Sequence, residues 1–154
     1  MRHYTPAITL CAAALLGCTK TEKPPADAPG ATMTAPATAA LSAAAVAGDW
    51  NMTATAAGTG STVTFVFNAS GDPSTWTFTF PGRPPVPVSV SFDGDSMMTS
   101  AGPYESVLRP GVQVTTNSVM RLQGGKVIGA TTARYAGAGA DSVVQLTSEG
   151  TRAP

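Results

Sequence analysis

Beyond residue 18 this chain contains no histidine and no cysteine; His3, Cys11 and Cys18 are the only ones in 154 residues. Residues 19–154 therefore have no imidazole to serve as general base or metal ligand near neutral pH. They also have no disulfide, no thiolate nucleophile and no sulfur-ligated zinc. Charge is scarce as well. Only 12% of residues are Asp, Glu, Lys or Arg, and the formal net charge is +0. Binding nucleic acid needs a basic stripe to neutralise phosphates, and none is present. Nor is there a polybasic segment for anionic lipid. Long apolar runs are missing: the longest, Ala7 to Leu16, covers about half of the roughly 20 residues that a membrane-spanning helix requires. Long helical periodicities are missing too. What is plentiful is Gly and Pro, 16 and 13 residues, with many Thr and Ser, a composition suited to short strands joined by turns.

The first 18 residues have the layout of a targeting segment. Arg2 and His3 supply a positive start, the apolar stretch follows, and Leu15-Leu16-Gly17-Cys18 ends it. That tetrapeptide resembles the lipobox of bacterial lipoprotein signal peptides. The resemblance implies cleavage before Cys18 and lipidation of Cys18, hence attachment to a membrane of the cell envelope. Stable anchoring takes two or more chains. Thr19 stands where an Asp favours inner-membrane retention in enterobacteria, which implies the outer membrane, facing the periplasm or the cell surface. Residues 19–47 read as a tether rich in Pro, Ala and Thr. The part from Thr19 to Gly30 has almost no bulky apolar group with which to offset ordering entropy, and its prolines favour extended polyproline II. Residues 39–47 are Ala-rich, and a short helix is expected there, stopped by Gly48.

From residue 48 to 154 the dominant period is two, and we assign this span to one domain. Alternation is visible in Trp50 to Ala54, Val63 to Phe67, Trp76 to Phe80 and Val86 to Phe92, and again from Val112 to Leu122, Lys126 to Tyr135 and Ser142 to Ser148. Alternation puts one row of side chains on each face of a sheet. One face reads as apolar and the other as Thr and Ser, as in antiparallel sheets with a wet side. Turn residues separate the runs: Gly58-Thr59-Gly60, Ser70-Gly71-Asp72-Pro73, Pro81 to Pro85, Asp93-Gly94-Asp95, Gln123-Gly124-Gly125 and Ala136 to Ala140. Short gaps mean that sequential neighbours pair antiparallel. The expected fold is all-β, an up-and-down meander of about eight strands. Closure into a small barrel is favoured over an open sandwich, because closure removes exposed edges. Ala101 to Gly111, bracketed by Gly-Pro and Pro-Gly, breaks the pattern. It reads as an irregular strand or one helical turn, and the turn would bring Glu105 and Arg109 together at i, i+4.

Gly48-Asp49-Trp50 opens the first strand and resembles the Gly-x-Trp signature of lipocalins and related calycin barrels. In that superfamily the tryptophan packs at the closed end of the barrel under an arginine from the last strand, and Arg152 stands near that position. The resemblance thus implies a structural Trp50/Arg152 pair. Gly-x-Trp also opens avidin-like barrels, and the lipocalins' Thr-Asp-Tyr motif is not evident, so the likeness is one of fold and carries no activity with it.

Two kinds of contact are candidates for function. Trp50, Phe65, Phe67, Trp76, Phe78 and Phe80 either line a pocket for a small hydrophobic ligand or fill a core. A ligand pocket would measure roughly several hundred Å³. Tyr104, Glu105 and Arg109 mark a loop suited to contacting an envelope protein, as in periplasmic inhibitors. Catalysis is not expected. Asp49, Asp72, Asp93, Asp95, Glu105, Asp141 and Glu149 mostly sit beside Gly or Pro in turns, and the serines have no histidine partner or Gly-x-Ser-x-Gly elbow. Asp93-Gly94-Asp95 lacks the further ligands of a calcium loop. No metal and no cofactor are expected.

Overall fold

Eight antiparallel strands follow one another around a closed barrel in a computed structural model that describes residues 40–137, 139 and 142–154. The lipobox with Cys18, the tether up to residue 39, and Asp141 lie outside the described residues. The strands are β1 (Gly48–Ala56), β2 (Thr62–Ala69), β3 (Thr77–Thr79), β4 (Val86–Asp93), β5 (Ser96–Glu105), β6 (Gln113–Gln123), β7 (Lys126–Tyr135) and β8 (Val143–Arg152). Each pairs with its sequence neighbour, and β8 closes on β1 with Trp50 opposite Arg152 and Ala56 opposite Leu146. The eight-stranded up-and-down barrel is thus the fold that the alternation and the short turns imply.

Stagger follows from the registers. A path from Gly48 through Ala69, Val88, Ala101, Thr116 and Ala133 reaches Val144. That residue lies two beyond the Leu146–Ala56 pair, so the path returns about ten residues along β1 from where it started, the stagger that tilts strands in a closed barrel.

The burial pattern of β1, alternating between buried and open from Trp50 to Ala56, repeats the sequence alternation directly. Inward go Trp50, Met52, Ala54 and Ala56; outward go Asp49, Asn51, Thr53 and Thr55. A wall that is polar outside and apolar inside is the reverse of a transmembrane barrel, whose outer band is apolar.

Two ends can be told apart. At one, β4 and β5 are joined by Gly94-Asp95 and β6 and β7 by Gly124-Gly125. Gly124 and Gly125 both have positive φ, 56° and 77°, the backbone that a two-residue hairpin turn demands. The same end also carries the 70–76 connection, with a 3-10 turn at Pro73–Thr75; the other end carries 57–61, 80–85, 106–112 and the link from Tyr135 to Val143.

Several expectations need correction. The helix expected over 39–47 is four residues, Ala43–Val46, capped by the Ser42 side chain. The Ala101–Gly111 segment is not a helical turn. Its first half is the irregular strand that the pattern allowed: it ends β5, whose earlier part, 96–100, the sequence pattern did not show as a strand, and its register slips between Ala101 and Tyr104. Gly102 and Pro103 sit at that slip, where Pro cannot donate to a ladder. Ahead of it, Ser-Met-Met-Thr-Ser-Ala has too few large residues inward to advertise an alternation. β3 keeps only three residues of the Trp76–Phe80 run, and its two registered pairs with β4 include Pro87.

Candidate functional site

The interior is filled unequally. Towards the tight-turn end, Trp50, Phe67, Trp76, Met52, Met97 and Met120 are essentially solvent-free and pack with Val46 from the helix. Phe67 meets Trp76 edge-on at 5.5 Å, and Phe78 at 5.3 Å. Such pairs add about 0.5–1.5 kcal/mol each beyond burial. This half is solid core.

The same end is sealed from outside. The Trp50 indole Nε1 donates to the Val46 carbonyl at 2.7 Å. The Arg152 guanidinium carbon lies 4.5 Å from the Trp50 ring centroid. Its two terminal nitrogens donate to the carbonyls of Ala45 and Ala47. Arg152 therefore ties the helix C-terminus, where unsatisfied carbonyls collect, to the barrel floor. Gly48 suits this position because its φ is +122°, and a Cβ there would also come 2.7 Å from Arg152 Nη1.

The long-loop half is different. Its packing centres on three alanines, Ala54, Ala56 and Ala133, with Val114, Tyr135 and Leu146. Between them is a cavity of about 50 Å³. Phe65, Phe78 and Phe80 form one wall, with Phe65 edge-on to Phe78 at 5.0 Å. The opposite wall is a row of hydroxyls. Ser118 Oγ and Thr131 Oγ1 are 2.8 Å apart, and Thr131 Oγ1 and Ser148 Oγ 3.1 Å. All three residues are buried. Thr116 and Tyr104 extend that polar wall. Burial pushes the Tyr104 phenol above its ordinary value of 10.0, opposed by a hydrogen bond from Thr116.

The loop 106–112 covers this end, and its local chemistry explains its shape. Buried Ser106 turns its Oγ back to accept from the amides of Leu108 and Arg109, at 3.1 and 3.0 Å. Its own amide donates to the Val112 carbonyl at 2.8 Å. Arg83, from the β3–β4 connection, donates to the carbonyls of Glu105 and Ser106. Glu105 accepts from the Gly111 amide at 3.2 Å, and its carboxylate lies 3.9 Å from Arg83. The Arg109 guanidinium carbon sits 4.2 Å over the Tyr135 ring. Leu108, held at the loop's centre, lines the cavity and packs against both core clusters.

The structure divides the six aromatics. Phe65, Phe78 and Phe80 line the cavity, while Trp50, Phe67 and Trp76 fill the core. The cavity is far smaller than the several hundred Å³ expected of an apolar ligand pocket, because these rings and Leu108 occupy the space. Glu105 and Arg109 are engaged at the loop, with Gly111 and Arg83 and over Tyr135, whereas Tyr104, near the end of β5, stacks on Phe80 at 5.4 Å and lines the cavity. Ser118, Thr131, Ser148, Ser106, Arg83 and Leu108 escaped sequence reasoning. Parity was the available signal for the hydroxyls: Ser118 shares its strand face with Val114 and Met120, and Ser148 with Leu146.

What the fold and the site define is a closed eight-stranded antiparallel barrel, solid at one end and hydroxyl-lined beneath a loop at the other. Comparison with known proteins adds no relative: no family model, no curated protein and no solved structure matches the chain significantly.

Proposed function

We propose that this is a lipid-anchored protein of the bacterial cell envelope whose barrel is a lipocalin-like, non-catalytic binding module. It takes a small uncharged molecule at the end covered by residues 106–112. The observation that carries this reading is the cavity between the Phe65–Phe78–Phe80 wall and the Ser118–Thr131–Ser148 row. A domain that needed only a core would fill those three positions with aliphatic side chains, since a buried hydroxyl without a full set of partners costs free energy. Absence of catalysis is argued from placement. Asp49, Asp72, Asp93, Asp95, Glu105 and Glu149 are all exposed on the outside, and Asp72 and Asp95 are held ionised by local hydrogen bonds, from Ser74 and from Ser96 with Arg121. None faces the cavity, where a perturbed acid or base would be needed.

The anchor rests on the lipobox resemblance at Cys18 and on the polar outer wall, which suits a barrel standing in water beside a membrane. Native mass spectrometry of the chain, recovered from its own envelope in mild detergent, tests both parts. We expect a covalent diacyl or triacyl mass that disappears in Cys18→Ala, and a separate non-covalent adduct lost on denaturation. A chain that carries neither contradicts the reading.

A second reading, an envelope-protein contact at the Tyr104–Arg109 rim, is favoured by Val107, which the loop leaves 38% exposed. Envelope crosslinking that captures one protein with the wild type and not with Val107→Asp would establish it.

A further inference from the structure

Resting on that reading, we propose that Leu108 is a tethered stand-in for the ligand, and that the ligand is a single neutral ring carrying one hydroxyl, of phenol chemistry.

The hydroxyl row sets the polar half of this requirement. Three hydroxyls bring three protons, and the two links Ser118–Thr131 and Thr131–Ser148 use two of them. One donor and several lone pairs are left on residues that line the cavity. A hydroxyl satisfies such a row, because it both donates and accepts. The opposite wall sets the rest. Phe65, Phe78 and Phe80 already meet one another at centroid distances of 5.0 and 5.4 Å, the spacing at which an inserted ring continues an edge-to-face cluster. Charge is disfavoured: the titratable side chains on the cavity wall are Tyr104 and Tyr135, neither of which offers a counter-ion. A buried ion there would lack the pairing that burial demands.

Size explains the role of Leu108. The cavity of about 50 Å³ is about a third of the 150 Å³ space that holds benzene in a well-known apolar case. Leu108 lines the cavity from the loop and packs against both core clusters, so its displacement is what would enlarge the space. Its amide is fixed to Ser106 Oγ and the loop base to Arg83, so turning the side chain out vacates the space without unfolding the loop. The chain thus competes with its own ligand.

The test is calorimetric titration of the full chain, wild type and Leu108→Ala, with phenol, toluene and benzoate. Leu108→Ala is expected to bind phenol at least tenfold more tightly than wild type. Phenol is expected to exceed toluene by about three- to tenfold, the worth of one net hydrogen bond, and Thr131→Val is expected to remove that preference while toluene binding stays. Benzoate is expected not to bind. Thermal melts verify folding of each variant, with Leu108→Val as the milder replacement should the alanine variant melt early. If wild type binds phenol and neither Leu108 variant improves on it, the stand-in role is wrong while the binding end survives. Equal affinity for toluene and phenol overturns the assignment of the hydroxyl row. No binding of any probe to any variant overturns this proposal together with the binding function beneath it.

Discussion

Replacing Arg152 by alanine removes three interactions at once, and their sizes can be worked out separately. The guanidinium sits 4.5 Å over the fully buried Trp50 ring. Because Arg152 itself is exposed, the cation–π contact belongs near the lower end of its range, about 0.5–1 kcal/mol. The hydrogen bonds to the Ala45 and Ala47 carbonyls contribute about 0.5–1 kcal/mol each in a position that water can reach. The loss is therefore about 1.5–3 kcal/mol. For a domain of this size, at roughly 5 °C per kcal/mol, Tm falls by about 8–15 °C. Arg152→Lys keeps the charge but not the two-pronged donor, so it recovers less than half of the loss. Urea unfolding followed by tryptophan fluorescence measures both. Gly48→Ala offers a cross-check, since its Cβ would crowd Arg152 Nη1: it should cost less in the Arg152→Ala background than in wild type. A loss below about 0.5 kcal/mol for Arg152→Ala, or a lysine as good as the arginine, would refute the view that this residue fastens the helix to the barrel floor.

Other variants probe other parts of the fold. Thr131→Val leaves Ser118 and Ser148 without their shared partner and should cost about 1–3 kcal/mol. Thr99→Val removes a buried hydroxyl that has no hydrogen-bond partner and should be neutral or stabilising by up to about 1 kcal/mol; the opposite order in urea midpoints contradicts the hydrogen-bond assignment. An alanine at Gly129 would place its Cβ 2.3 Å from the Val119 carbonyl oxygen, whereas at Gly150 it meets the Met52 thioether. Gly129→Ala should therefore destabilise more, by about 3 kcal/mol, while Met52→Ala partly rescues Gly150→Ala; equal costs would mean that the backbone yields. The Tyr104 phenol is held above its ordinary value by burial. Above about pH 10 the unfolded chain loses this proton first, so stability present below the unfolded value falls as pH rises towards the folded one. Tyr104→Phe should flatten that fall, and an unchanged alkaline slope in urea midpoints would show that Tyr104 does not cause it.

Much of the barrel could be read from residue order because apolar alternation and Gly-centred turns each encode a local geometry. Trp50 and Arg152, 102 positions apart in the chain, are neighbours only because β8 closes on β1, and the Gly-x-Trp likeness was enough to suggest it. β5 stayed hidden because its inward residues before the slip are Met97, Thr99 and Ala101, a mixture without strong contrast to the outward Ser96, Met98 and Ser100. The aromatic wall of the candidate site, Phe65, Phe78 and Phe80, was legible, but its hydroxyl wall stayed hidden for a related reason. Ser and Thr on a strand read as the wet face, yet on β6, β7 and β8 the inward row includes Ser118, Thr131 and Ser148. Counting parity from Met120, Ala133 and Leu146 would have placed them inside. The cavity's small volume depends on how Leu108 is set by the Ser106 turn, a loop conformation that no strand periodicity encodes.

The binding end is tested most directly by a crystal structure of the full chain grown with phenol. The expected result is ring density against Phe65, Phe78 and Phe80, its hydroxyl within hydrogen-bond distance of the Ser118–Thr131–Ser148 row and Leu108 turned out of the cavity. An unchanged Leu108 with phenol absent, or bound only at the outer rim, would contradict it.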